Sequence, residues 1–436
     1  MKKNKILILL FFLCSQINAQ DSLLTIDQAL KIALENNYDV KIAQSDKVIS
    51  SKNNSAGNAG MLPSVDLSGS YSRSVNSINQ KYSNGTEINR DNAGSSALGA
   101  DAGLTWTIFD GMKMFHTKNR LEELYKISDQ SLRIRMEETI ESVITAYYSI
   151  VKTKQDLKAL EEELQLSADR LRIAERKLNN GSGSKMDMLL AKTDYNAQMS
   201  SKLSLENTLE AARINLNVLL ARPVSNLYML ADTVIVEYKP DLNDLLKNSE
   251  SRNSSVVLYS IKQKIAELSL KENQSMRWPK ISLGAHYLYN KSENDAGFSL
   301  LNQSNGFNYG ITASLPLFHG FTISRQIENS KQALLSAKLE LAAVKQSADA
   351  ELLIAYRNFT SQMEILRMEE DNISSAREIL TVAQERYKIG VSSSVEIQDA
   401  QRVYETSVSR LTTARYNAKL AEVRLRKLNG ELVTTY

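Results

Sequence analysis

The chain has few of the residues that chemistry usually needs. Of its 436 residues, one is cysteine, three are histidine and five are proline. A single cysteine, Cys14, excludes a disulfide framework within the chain and any cysteine-built metal site. The histidines, His116, His286 and His319, are scattered without the His-x-x-x-His spacing of a helical metal site. No Walker loop, Rossmann fingerprint or nucleophile elbow occurs, so the reading is of a non-enzyme with no cofactor and no metal. Acidic runs such as Glu161–Glu163 and Glu369–Asp371 fall in helical patterns and read as solvated faces. The net charge is only +3, and three lysines of that sum sit at the extreme N-terminus, so nothing suggests a nucleic-acid surface. Beyond the first nineteen residues no 18-residue apolar run occurs. Any membrane contact must therefore use strands or an amphipathic surface.

The N-terminus has the form of an export signal. Lys2, Lys3 and Lys5 precede the short apolar run Ile6–Cys14, and Ile17-Asn18-Ala19 offers small-residue cleavage chemistry before Gln20. Residues 1–19 are read as a signal peptide. Lipid attachment at Cys14 is disfavoured by the bulky Leu13 before it, so the thiol is expected to leave with the leader.

The remainder reads as written twice. At an offset of 216, Asn37 falls on Asn253, Pro63 on Pro279, Leu67 on Leu283 and Tyr71 on Tyr287. At an offset of 209, Trp106 falls on Leu315, Phe109 on Phe318, Gly111 on Gly320, Gly181 on Gly390, Asp187 on Glu396, Tyr195 on Tyr404 and Leu216 on Leu425, with no further gap. Two structural repeats follow, residues 20–239 and 240–436, each with helices, two strands and a long helical hairpin.

Between Gly111 and Gly181, and again between Gly320 and Gly390, there is neither proline nor glycine. Both segments are rich in Leu, Ala, Glu, Lys, Arg and Gln, the strong helix formers. Apolar residues recur at helical spacing, as in Ile140, Val143, Ile144, Tyr147, Ile150 and Val151, and in Leu352, Leu353, Tyr356 and Phe359. Each helix would run about 100 Å at 1.5 Å per residue, which calls for coiled-coil-like packing rather than a compact domain. Glycine ends each long helix. Ser184-x-x-Asp187 and Ser393-x-x-Glu396 then read as N-caps of returning helices over 185–220 and 394–428, the second as a full capping box. Shorter helices are expected over 26–35, 38–60, 242–250 and 254–276.

Four segments alternate with period two. Val65, Leu67, Gly69 and Tyr71 oppose Asp66, Ser68, Ser70 and Ser72. Leu98 to Ile108 alternate likewise, as do Ile281 to Tyr289 and Phe307 to Leu317. One face is apolar and the other carries Gly, Ser, Thr and Asn, which fits a water-filled lumen. A soluble sheet packed on helices would alternate too. The Asn- and Ser-rich stretches 76–96 and 291–306 read as exposed loops. Four strands cannot close a membrane barrel, so a membrane reading requires that several copies share one.

Together these features resemble the TolC-type outer-membrane efflux protein family. The resemblance is carried by Leu24-Thr25-Ile26-Asp27-Gln28-Ala29-Leu30, Leu62-Pro63-Ser64-Val65, Trp106-Thr107-Ile108-Phe109-Asp110-Gly111, Leu315-Pro316-Leu317-Phe318-His319-Gly320 and Arg386-Tyr387-Lys388-Ile389-Gly390. It implies a mainly α fold with a β-barrel part, duplicated and trimeric. Long antiparallel helical hairpins would form an α-barrel, and each protomer would add four transmembrane strands. It also implies an outer-membrane channel reaching into the periplasm, a passive duct for substrates delivered by a periplasmic adaptor and an inner-membrane pump or ABC transporter. Its outer face would meet outer-membrane lipid.

By the same resemblance, Glu396 and Asp399 match a pore constriction of acidic residues, three apart on one helix face, with Asp187 at the repeat-one equivalent of Glu396. Leu190 stands where repeat two has Asp399. Tyr387 matches a tyrosine linked to tip closure, and Gly181, Ser182, Gly390 and Val391 fall at the adaptor-contact tips. Capping, ordinary packing and a tight turn are alternative readings of these same residues. A periplasmic coiled-coil scaffold or adaptor without a pore is the rival for the whole chain.

Overall fold

The computed structural model describes residues 23–231, 234–389 and 391–435. The expected leader 1–19, with Cys14, and the tip residue Gly390 lie outside them. In chain order the elements are β1 (Leu23–Leu24), α1 (Ile26–Asn36), α2 (Tyr38–Asn53), β2 (Ser64–Lys81), β3 (Glu87–Phe109), α3 (Lys113–Asn179) and α4 (Lys185–Leu219). They continue with β4 (Met229–Leu230), α5 (Leu242–Arg252), α6 (Ser254–Ser275), β5 (Lys280–Asn294), β6 (Leu301–Ser314), α7 (Thr322–Lys388), α8 (Ser394–Leu428) and α9 (Leu432–Thr435). The sequence α-α-β-β-α-α thus occurs twice. The long helices are 67 residues each and the returning ones 35 each.

One pair of side chains makes the repetition visible in atoms. Asn37 donates through Nδ2 to the Leu219 carbonyl at 2.9 Å, and its Oδ1 accepts from the Asp39 amide at 2.9 Å. Asn253 donates to the Leu428 carbonyl at 2.9 Å and accepts from the Ser255 amide at 3.0 Å. Each amide group therefore satisfies an orphan donor at one helix start and an orphan acceptor at another helix end.

The chain divides into two compact units. The first is built from the stretches up to Gln44, from Ser131 to Val257, and from Lys345 onward. Its core is apolar. Ile140, Val143, Ile144, Tyr147, Ile150 and Val151 of α3 are buried with Leu30 and Ala33 of α1, Leu216 of α4, Leu230 and Leu432. The Tyr147 hydroxyl donates to the Leu24 carbonyl at 2.9 Å and accepts from the Ala231 amide at 3.3 Å, so its polar end is paired. A second cluster joins Leu352, Phe359, Leu425 and Leu428 with Leu245. Leu353, expected on that stripe, is exposed.

The second unit spans Ser45–Gln130 and Leu258–Val344. It contains an antiparallel sheet of order β2-β3-β5-β6. Its helical stretches bury Met114, Leu268 and Ile327 and are also joined by polar contacts, such as Lys47–Asp129 at 2.6 Å, Arg120–Glu272 at 2.8 Å and Asn273 to Ser330 at 2.6 Å. Where β3 passes into α3, Asp110 accepts from the Met114 amide at 3.1 Å and caps the helix. Gly111 beside it has φ +71, and a Cβ there would sit 2.5 Å from the Ser275 carbonyl oxygen. Both conformation and space therefore require glycine.

Several boundaries differ from expectation. The polar stretches 76–96 and 291–306 are mostly strand. β2 runs to Lys81 and β3 starts at Glu87, with Lys81 ion-paired to Glu87, which leaves a turn over 82–86. In that turn Gly85 has φ +84. An antiparallel ladder satisfies backbone groups whatever the side chains are, so Asn- and Ser-rich composition did not prevent pairing. β6 stops at Ser314 rather than 317, because Pro316 has no amide to give a ladder. α2 ends at Asn53 rather than 60, at a run of turns that includes Gly60 with φ +79. The short parallel pair β1–β4 had no sequence signal.

Candidate functional site

Two regions carry the residues of interest. In the sheet, the register stacks like on like. Val65, Leu104, Ala285 and Tyr309 form one row across the four strands, and Leu67, Ala102, Tyr287 and Phe307 form the next. Leu98 and Tyr71 pair further along, and Trp106, Leu283 and Ile311 line up at the other end. All lie on one face, because side chains two apart along a strand share it. This apolar face is bare: Leu67 is 83% exposed, Tyr309 79% and Ile311 70%. From Leu98 to Ile108 the apolar positions extend about 33 Å along the strand. At a tilt of roughly 40° this is about 25 Å along the normal, the height of the lipid-facing band in outer-membrane barrels.

The opposite face carries Asp66, Gly103, His286 and Asn308 in one row, and Ser70, Gly99, Asn290 and Ser304 in another. Leu288 is an apolar exception. His286 Nδ1 lies 3.2 Å from Asp101 Oδ1 on this face. The ring covers Gly103, where a Cβ would come within 2.8 Å of Nδ1, so this glycine makes room for the pair.

The second region is the pair of helical tips. At the first, Gly181 has φ +73 and the Ser182 amide donates to the Lys177 carbonyl at 2.9 Å. This is the bond pattern that closes a helix through a left-handed glycine. The Ser184 hydroxyl then accepts from the Met186 amide at 3.1 Å and starts α4, with Asp187 in its first turn. At the second tip the Val391 amide donates to the Arg386 carbonyl at 3.0 Å, and the Ser393 hydroxyl accepts from the Glu396 amide at 3.2 Å.

The full capping box expected here does not describe Glu396. Its carboxylate turns instead to the Arg386 guanidinium, 3.2 Å away, where a charged donor outcompetes a backbone amide. Asp399 pairs with Arg402 at 3.2 Å, one helical turn on. Glu396, Asp399 and Arg386 line one open groove between α7 and α8, together with Ile379, Val382 and Val403. Both ion pairs are exposed, so each holds by roughly 0–1 kcal/mol and opens readily. The Lys177 ammonium lies 5.4 Å from the Tyr387 ring centroid, which brings a residue of the first tip's helix to the second tip's tyrosine.

The sequence profile of outer membrane efflux proteins matches residues 29–222 and 245–431, most of the chain and in two separate stretches. The chain belongs to the outer membrane efflux protein family. Among curated relatives, it is 22% identical over 385 residues to outer membrane protein TolC of Escherichia coli (strain K12), covering 85% of this chain and 75% of that one. It is 19% identical over 405 residues to the alkaline protease secretion protein AprF of Pseudomonas aeruginosa, covering 92% of this chain and 83% of the relative. Among solved structures, the Campylobacter jejuni CmeC outer membrane channel superposes with a TM-score of 0.79 at 17% identity, over 93% of this chain and 86% of that one. CusC superposes with a TM-score of 0.76 at 16% identity, over 93% and 92%.

As a member of this family the chain is an outer-membrane channel protein for efflux or secretion, with a periplasmic extension, and its relatives here are channels and secretion proteins. Among the described residues no helix is long and apolar enough to cross a membrane. Sequence reasoning missed the counter-charges Arg386 and Arg402. Arg402 was findable, since it stands three residues after Asp399 on one helix face. Arg386 was not, because only the tip's geometry folds it back onto Glu396.

Proposed function

We propose that three copies of this chain share one outer-membrane barrel, and that their helices continue as a duct through the periplasm. The carrying observation is the sheet. It has one continuous apolar face about 25 Å tall, and its edge strands β2 and β6 pair on one side only among the described residues. Open edges in hydrocarbon cost several kcal/mol per unpaired backbone group, so a neighbour's edge must complete each ladder. Three copies supply twelve strands, above the minimum of eight for single-chain barrels. The polar face, with Asp66, Asp101, His286 and Asn308, would line the lumen. On this reading the two structural repeats are 20–239 and 240–436, as the twin roles of Asn37 and Asn253 suggest.

The duct performs no covalent chemistry. A periplasmic adaptor and an inner-membrane pump would supply energy and choose the cargo, so specificity need not be written in this chain. The tips Gly181, Ser182, Gly390 and Val391 would meet the adaptor. Glu396 and Asp399, with Asp187 from the first hairpin, would ring the constriction, and Tyr387 would steady the closed tip through Lys177. Each acid of the second hairpin already has an arginine beside it, so the ring is charge-compensated at rest. Rings of fixed charge select ions by sign. Reversal potentials in planar bilayers test this: Glu396→Gln with Asp399→Asn should shift selectivity toward anions. An unchanged reversal potential would remove the gate assignment.

A further inference from the structure

Away from the tips and the sheet, the helical unit holds a carboxyl pair that the duct reading does not use. Glu163 of α3 is half-buried and Glu405 of α8 is more exposed. The two side chains line the same two cavities, one between α3, α4 and α8 and one between α3, α7 and α8. Glu163 Oε1 accepts a hydrogen bond from Gln198 Nε2 of α4. Glu163 Oε2 is buried and has no donor among the described residues. Glu405 lines both cavities beside this carboxyl, and its negative charge bears on it. Two carboxylates in contact cannot both ionise cheaply, whereas one proton between them turns repulsion into a hydrogen bond.

The surrounding charges relieve the pair only in part. On α3, Arg170 is buried but bonded to Asp194 of α4, which also accepts from Gln398 of α8 at 2.9 Å. Asp156 of α3 is ion-paired to Lys152 at 2.8 Å, and Glu162 of α3 adds a further negative charge to the rim. From α7 the exposed Arg377 lines one cavity, and from α8 Tyr404 lines the same one. Arg402 of α8 is held by Asp399. Burial first, and then the Glu405 charge and hydrogen bond, push the Glu163 carboxyl up from 4.5 to about 7, against small opposing effects of Gln198 and Arg170.

We propose that Glu163 and Glu405 form a proton-operated latch that ties α3 to α8, fastened when one proton is shared and loosened when it is lost. The sign follows from linkage. The packed form binds more protons than a separated pair as pH rises from about 4.5 to 7, so its stability falls through that window and stays low above it. The latch does not depend on a pore or a partner. If the duct reading holds, it would place a pH-sensitive joint in the wall above the tips.

Hydrogen–deuterium exchange on the full chain in detergent, corrected for intrinsic rates, tests the latch. In the wild type, protection of the stretches around 156–170 and 398–409 should fall by roughly fivefold or more between pH 6 and pH 8.5, while the core stretch 140–151 stays constant. Glu163→Gln supplies a permanent amide donor toward Glu405 and should keep protection high at both pH values. Glu405→Gln, with its donor on the other side, should do the same. A pH-independent wild type, or a fall retained in both amide variants, would overturn the latch.

Discussion

The two units solve the same burial problem in opposite ways. In the helical unit, apolar side chains at helical spacing meet one another: Ile140, Ile144 and Val151 are fully buried within the single chain. In the sheet-bearing unit, Val65, Leu67, Tyr309 and Ile311 are just as apolar and remain bare. A water-facing sheet would place such residues inward against a layer of its own. Here the register instead gathers them on one face about as tall as a hydrocarbon layer, with polar residues behind. On the proposed reading the first unit is completed by the chain itself, whereas the second is completed by lipid and neighbouring copies.

The sharpest way to break that contrast is to make equivalent changes in both units. Ile144→Ala should destabilise the helical unit by about 2–5 kcal/mol through lost contacts and a cavity, read from thermal unfolding in detergent. Ile311→Ala should leave that transition within about 0.5 kcal/mol. Next in size is Ile311→Arg, which should cost insertion about 2–4 kcal/mol if the residue faces the lipid midplane, and should reduce the amount assembled in outer membranes. Normal assembly of that variant would mean the face meets water or protein.

Between the repeats, Asn37→Ala and Asn253→Ala should each cost about 1–3 kcal/mol and by similar amounts, because each strands one carbonyl, part-buried in the first case and buried in the second, and two amides. Very unequal losses would show that the matching bonds do different jobs. The smallest effect is at the tips. Arg386→Gln with Arg402→Gln uncovers Glu396 and Asp399 and should raise cation over anion permeability by a few-fold, an energy under about 1 kcal/mol per pair.

Most of the architecture was legible before the structure because it is periodic. The proline-free segments became α3 and α7, Gly181 closed the first hairpin where the repeat placed it, and alternation around Leu67 and Ile311 gave the sheet its faces. Composition misled at residues 76–96, where polar residues read as loop and a ladder formed. Periodicity cannot reveal contacts between distant side chains. Glu396 turning to Arg386, His286 meeting Asp101 across two strands, and Glu163 sharing two cavities with Glu405 some 240 positions later along the chain leave no local trace. They depend on helix rotation and strand register, which only packing sets.

The bare sheet is proposed to be completed by other copies in a membrane. The mass of the mature protein extracted from outer membranes in detergent tests it most directly. A detergent-requiring trimer is expected. A monomer that stays soluble without detergent would contradict it, and would move the apolar face onto a soluble partner in a scaffold or adaptor without a pore.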